Sequence, residues 1–224
     1  MHHFFKKHSL VLTLPFVALF ALLSSCAGTP RTDRSAVPGE RNNLVALHKL
    51  WDELHLTITS GNVAQFSSLL TQDSYDWLEN LVEETERMPA ELIEMRPFHE
   101  VFLILGTRFL FRNNELGSYN YSDVVAAIFR EKPLRDLFHR TDVGEFWYED
   151  LEAWRGLERA PSVPLFYFKW ENGQWKLDLQ QTLPIVLRGF ESVSLKKKMS
   201  TTETVIYLLN MHLKYRADET LLQP

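Results

Sequence analysis

His99 and Glu100 are the neighbours in this 224-residue chain whose types best suit general acid–base chemistry, because an imidazole beside a carboxylate in a pocket can move a proton near neutral pH. Adjacent residues on a helix point about 100° apart, however, so the two do not have to meet. His48 and His55 stand seven apart, two helical turns or about 10 Å along an axis, too far to share one metal ion without further ligands. Both also fit the edge of an apolar stripe. Glu83, Glu84 and Glu86 form a short acidic run that reads as a solvated face. Tyr119-Asn120-Tyr121 suits either the mouth of a site or a plain turn after Gly117. Cys26 is the only cysteine, so neither a disulfide within the chain nor a zinc–thiolate set can form. The sequence has no Gly-rich phosphate loop, no His-Glu-x-x-His and no Gly-x-Ser-x-Gly elbow. It calls for no cofactor and no metal.

Cys26 closes a leader. Met1 to His8 carries Lys6 and Lys7 without an acid, Ser9 to Leu23 is almost wholly apolar, and Ser24 and Ser25 are small. That is the pattern of a secretory signal. The run is shorter than the roughly 18 residues of a bilayer-spanning helix, and Pro15 interrupts it. Leu23-Ser24-Ser25-Cys26 resembles the lipobox of bacterial lipoprotein signals. The resemblance implies cleavage before Cys26, a diacylglyceryl group on its thiol and an acyl chain on its amine. Two or more chains make stable anchoring, at about 0.8 kcal/mol per buried CH₂. Ala27, where a retention signal shows Asp, implies the periplasmic side of the outer membrane in a Gram-negative host. An ordinary secretory signal with a free thiol, or a short N-terminal anchor, are the alternatives.

Residues 1–25 are thus read as a signal peptide, 26–41 as a tether and 42–224 as one domain. Without the leader, 22 basic residues stand against 29 acidic ones, a net charge of −7. Nucleic-acid binders are basic over at least one face, so no nucleic-acid partner is expected. Ala27 to Arg41 is rich in Pro, Gly, Ser, Thr and Arg and has no apolar period, as a flexible tether does. The core rests on apolar burial, with six tryptophans spread along the chain.

Helical spacing begins at Asn43, where Leu44, Leu47, Trp51, Leu54 and Ile58 share a face. Asn43 is a suitable cap, and Gly61 a suitable end. Asn62 caps a second helix to Leu70, and Asp73 or Ser74 opens a third through Trp77, Leu78, Leu81 and Val82. Pro89 interrupts it. Pro97 suits the first turn of a helix whose Val101 to Leu105 is apolar all round, hence buried. Ser122 to Phe138 reads as helical, with a break near Pro133. Then the period becomes two. Asn172-Gly173 between alternating runs predicts a hairpin at about 164–180. A two-residue turn sets Trp170 against Trp175, Phe168 against Leu177 and Phe166 against Leu179, and puts Lys169 opposite Lys176, with Glu171 and Asp178 near enough to relieve the like charges. Gly144 to Glu158 reads as a further strand, with Phe146, Tyr148 and Trp154 on one face, or as a helix. Two helices follow: one from Leu183 through Val186, Leu187, Phe190 and Val193 to Lys196–Lys198, and one opened by the Ser200/Glu203 capping box and carrying Val205, Ile206, Leu209 and Leu213.

The helical opening around Ser60-Gly61-Asn62, with Phe66, Leu69 and Leu70, and the hairpin from Phe166 to Leu179 with its Trp175-Lys176-Leu177-Asp178 ending resemble the nuclear-transport-factor-2-like (NTF2-like, cystatin-like) superfamily. The resemblance implies an α+β fold, helix-rich, with a small curved antiparallel sheet wrapped by helices into a cone around a pocket. The helical middle and the helices after the hairpin depart from that pattern and bear on whether the pocket is open. Three functions follow as expectations. The first is a lipid-anchored envelope module, non-catalytic, that holds a small apolar ligand or meets another envelope protein. The second, by analogy with the superfamily, is an isomerase, dehydratase or hydrolase using one pocket carboxylate or histidine among Asp76, His99, Asp150 and Asp178. The third is a structural envelope protein. A cavity beyond about 300 Å³ with converging polar groups would favour the enzyme.

Overall fold

The chain divides after Val37. A computed structural model describes residues 40–60, 63–111, 121–130, 135–136, 138, 141–212 and 217–223, all in the second unit. Cys26 and its leader, most of the tether, the Gly61 and Asn62 caps, Tyr119-Asn120, the break near Pro133 and Leu213 lie outside the described residues.

Helix α1 spans Glu40–Ser60. It starts three residues ahead of Asn43, which therefore sits inside the helix rather than capping it; Glu and Arg are good helix formers, so the helix outruns its apolar stripe. Leu47, Trp51, Leu54 and Ile58 are buried as the spacing requires, Leu44 is partly buried, and Leu50 joins the core beside them. After α2 (Val63–Phe66) and a 3₁₀ turn at Ser67–Leu69 comes α3 (Gln72–Thr85). Its cap is Thr71, not Asp73 or Ser74: the Thr71 hydroxyl accepts from the Ser74 N–H at 3.2 Å. The short α4 (Ala90–Glu94) follows Pro89, and α5 (Phe98–Phe111) follows Pro97, whose carbonyl accepts the first helical bonds from Glu100 and Val101. Val101 to Leu105 is buried on every side. Helix α6 covers Tyr121–Arg130.

Strands β1 (Val143–Glu149), β2 (Glu152–Leu157), β3 (Ala160–Glu171) and β4 (Gln174–Asp178) form an antiparallel meander in that order. The Asn172-Gly173 turn has both residues left-handed, φ 52° and 81°, as a tight primed hairpin turn demands. Trp170 pairs with Trp175, Phe168 with Leu177 and Lys169 with Lys176, as the sequence predicts. Lys169 is relieved by Asp178 at 2.8 Å. Glu171 instead accepts the Gln72 N–H at 3.0 Å. The expected Phe166–Leu179 pair does not form, because Asp178 ends β4 and caps a helix.

Gly144 to Glu158 holds two strands, not one and not a helix. They meet at a two-residue turn in which Asp150 takes φ 53°. Phe146 and Tyr148 share a face with Ala153 and Arg155, whereas Trp154 pairs with Trp147 on the other face. The inner face meets α1: the Trp51 ring lies 4.8 Å from Phe166 and 6.4 Å from both Phe146 and Phe168.

Among the described residues three helices, not two, follow the sheet: α7 (Leu179–Val186), α8 (Arg188–Lys197) and α9 (Thr201–His212). The extra start comes from the Asp178 cap, and the chain turns at Leu187. The capping box of α9 is reciprocal: the Ser200 N–H donates to Glu203 at 2.7 Å, and the Glu203 N–H to the Ser200 hydroxyl at 3.2 Å. The molecule is α+β and helix-rich, around one core. Among the described residues no helix is long and apolar enough to cross a membrane.

Candidate functional site

The four candidates for acid–base chemistry do not converge. Asp76 is exposed on α3 and accepts from the Gln72 carboxamide at 2.7 Å, one turn back. Asp150 is exposed in the β1–β2 turn. Asp178 is only 2% exposed, and its oxygens accept from Lys169, from the Gln181 N–H at 3.1 Å and from the Gln181 carboxamide at 2.9 Å. It is a helix cap joined to an ion pair, holding the strand-to-helix junction. His99 lies in the first turn of α5 with its ring 6.0 Å from that of Trp77. Burial holds its pKa below the usual histidine value, against the opposing pull of Glu100 and Glu191. The Glu100 carboxylate meets Arg96 at 3.2 Å and the Trp77 indole N–H at 3.4 Å. Arg96 continues to Glu84 at 2.6 Å. Glu83, Glu84 and Glu86 are all exposed, as a solvated face requires; at that surface Glu84 holds Arg96, and Glu83 accepts the Tyr121 hydroxyl at 2.7 Å. His48 stands edge-on to Phe146, and the His55 ring lies tilted against Trp51, each at 5.0 Å, as histidines at the rim of a core do. No group of three or more potential metal ligands occurs among the described residues.

A different place has the make-up of a site. The tip of the β3–β4 hairpin leans over α1 and the 3₁₀ turn, leaving a half-open groove of about 190 Å³. Hairpin formation places Trp170, Gln174 and Trp175 on one wall, and α1 supplies the exposed Lys49 and Glu53 and the buried Leu50. Leu69 closes the floor. Lys49 and Glu53, one helical turn apart, pair at 3.6 Å on the rim. Trp175 is 4% exposed, stands edge-on to Trp170 at 5.5 Å, and has an indole N–H with no acceptor among the described residues. A buried donor left unpaired is rare in folded proteins, and each instance needs a cause. The signal for this site was in the sequence only as two separate facts, a helix and a hairpin more than a hundred residues apart.

On the inner face of the sheet, where the superfamily resemblance puts a pocket, side chains of the described residues pack against α1. The Arg155 guanidinium lies 4.8 Å from the Trp51 ring centre and 4.6 Å from that of Phe146, and its Nε donates to the Gly144 carbonyl at 2.7 Å. Desolvation lowers its pKa, with Glu145 and Asp52 pulling the other way. No family model, no curated protein and no solved structure matches this chain. The groove therefore has to be interpreted from its own chemistry. It offers an exposed ion pair and an aromatic wall, which can hold a small molecule or a protruding side chain. Ser68, also in its lining, donates its hydroxyl to the Gln65 carbonyl at 2.7 Å.

Proposed function

We propose that this chain is a bacterial lipoprotein, anchored through Cys26 on the cell envelope, whose NTF2-like domain is a non-catalytic module for binding a small ligand or another envelope protein. The observation that carries the binding role is the groove over α1, walled by Trp170, Gln174 and Trp175 of the hairpin. The scatter of Asp76, His99, Asp150 and Asp178 over separate elements favours this role over the isomerase, dehydratase or hydrolase. The leader ending in Leu23-Ser24-Ser25-Cys26 supports the anchor and the periplasmic face of the outer membrane as its place. The cone-like wrapping rests on the meander packed against α1, with the tight Asn172-Gly173 turn at its end.

Mass spectrometry of the mature N-terminus, with fractionation of a Cys26→Ala variant, tests the anchor. The expected result is an N-terminal peptide that begins at Cys26 and carries acyl chains, and a variant that leaves the membrane fraction. A Cys26→Ala protein still held by membranes would refute the anchor.

A further inference from the structure

We propose that the junction between α8 and α9 is the face this protein lays against a bilayer of anionic phospholipids. This deepens the anchored-module reading above and rests on it. Helix α8 has no buried residue. Arg188, Lys196, Lys197 and Lys198 are exposed, and none of them forms an ion pair among the described residues. Glu191 is the one acid in Arg188–Lys198, so this stretch carries +3 in a chain whose charge beyond the leader is −7. Lys198 ends the helix at φ 54°, and Lys197 rests over the Tyr207 ring of α9 at 4.5 Å. Successive residues on a helix point about 100° apart, so the lysines fan round its end. Apolar side chains accompany the charge. Leu195, 82% exposed, and Met95, 81% exposed, are the two most exposed large apolar residues among those described. Leu195 directly precedes the lysines. Met95 follows Glu94, whose carboxylate accepts from the Thr202 hydroxyl and, at 3.3 Å, from that of Ser200, so the end of α4 sits against the same junction. Glu203 likewise accepts from the Ser200 N–H. Lysine is depleted at protein–protein interfaces, and two single apolar side chains make no interface core. A fluid headgroup layer suits them better: phosphates meet the ammonium groups, and Leu195 and Met95 reach the acyl boundary. Chain length agrees. Helix α1 begins at Glu40, only about 14 positions after Cys26, so an anchor there holds the domain within about 50 Å of the bilayer. Each lysine near an anionic surface strengthens attachment about fivefold, while the acidic remainder of the chain is repelled, which sets the orientation.

The test places the lipidated protein in nanodiscs of phosphatidylcholine, with and without phosphatidylglycerol, and attaches a bimane to Leu195→Cys. Brominated acyl chains in the disc quench a bimane that reaches the apolar boundary. The expected result is strong quenching with phosphatidylglycerol and little without it. Leu151→Cys, at the exposed β1–β2 turn among Glu149, Asp150 and Glu152, should show little in either disc. Met95→Cys is a second reporter should Leu195→Cys fail to fold. Lys196→Glu combined with Lys198→Asn, asparagine being at ease with a left-handed φ, should lower the ratio of docked to undocked protein at least about tenfold. Absence of quenching at both reporters overturns the inference, as does equal quenching with and without phosphatidylglycerol. Quenching at Leu151 as strong as at Leu195, or quenching that the lysine substitutions leave unchanged, also overturns it. A label that responds to polyglutamate but not to phosphatidylglycerol overturns it in favour of an acidic protein partner. An acylated Cys26 has no free thiol, so uptake of bimane by the native protein signals a failed anchor, whereas the comparison of discs signals a failed surface.

Discussion

Arg108 is a charged side chain 7% exposed in α5, and its partners among the described residues are four backbone carbonyls. Nε donates to Thr85 at 2.8 Å, Nη2 to Met88 at 2.5 Å, and Nη1 to Leu221 at 2.9 Å and Gln223 at 3.2 Å. The fork thereby ties the end of α3 and the C-terminal 3₁₀ turn (Glu219–Leu222) to the central helix. Arg108→Met keeps the stem but strands these carbonyls, and a loss of about 3 kcal/mol in urea unfolding is expected. Faster amide exchange at Leu221 and Gln223 would mark the released segment. His99 gives a pH signature. Its folded pKa is lowered chiefly by burial, so the unfolded chain takes up the proton first as pH falls. Its contribution is full above the unfolded value of about 6.5 and declines as pH drops from there toward the folded value. His99→Gln should therefore show a smaller fall in urea midpoint than the native protein between pH of about 8 and 5.5, a window above ordinary carboxylate titration. Equal falls would show that the imidazole is not the titrating group.

At the scale of elements, β2 is held close to the start of β3 by the absence of a side chain. A Cβ on Gly156 would lie 2.6 Å from the carbonyl oxygens of Pro161 and Val163, both backbone atoms that cannot swing aside. Gly156→Ala should destabilise by about 2–3 kcal/mol. Gly106, inside α5, has nothing within 4 Å of the same position. Gly106→Ala should stabilise by about 0.5–1 kcal/mol, since Ala is the better helix former and stiffens the unfolded chain. Paired thermal melts of the two variants check both signs. The same elements show what was readable in advance. The β3–β4 hairpin was legible because Asn172-Gly173 is a turn with a stereochemical requirement and the flanking residues alternate. The β1–β2 hairpin was not, because Asp150-Leu151 lacks a glycine and places a non-glycine residue at φ 53°. The start of α7 was hidden because Asp178 continues the alternation of β4 while also capping the helix. Spacing alone cannot show which of those roles ends the strand.

Over the whole molecule, the decisive question is what occupies the inner face of the sheet. The resemblance leads one to expect a pocket there. Trp51 instead touches the rings of His55, Phe138, Phe146, Phe166 and Phe168 and carries the Arg155 guanidinium on its face. Local spacing marked Trp51 as core. It could not show that residues from the sheet and from position 138 would close round one indole, because that depends on contacts far apart in sequence. The groove draws on other side chains: Lys49, Leu50 and Glu53 of α1 and Trp170, Gln174 and Trp175 at the end of the last hairpin line it. A filled face and a lidded cavity respond differently to truncation. If Trp51 only roofed an open space, Trp51→Ala would cost about 1 kcal/mol, the worth of a partly exposed apolar side chain. Because it is 6% exposed among five rings, the expected loss is about 3–5 kcal/mol, from lost burial plus the cavity left behind. Denaturant unfolding of Trp51→Ala measures this directly, and near-ultraviolet circular dichroism should lose intensity as the surrounding rings lose their fixed packing.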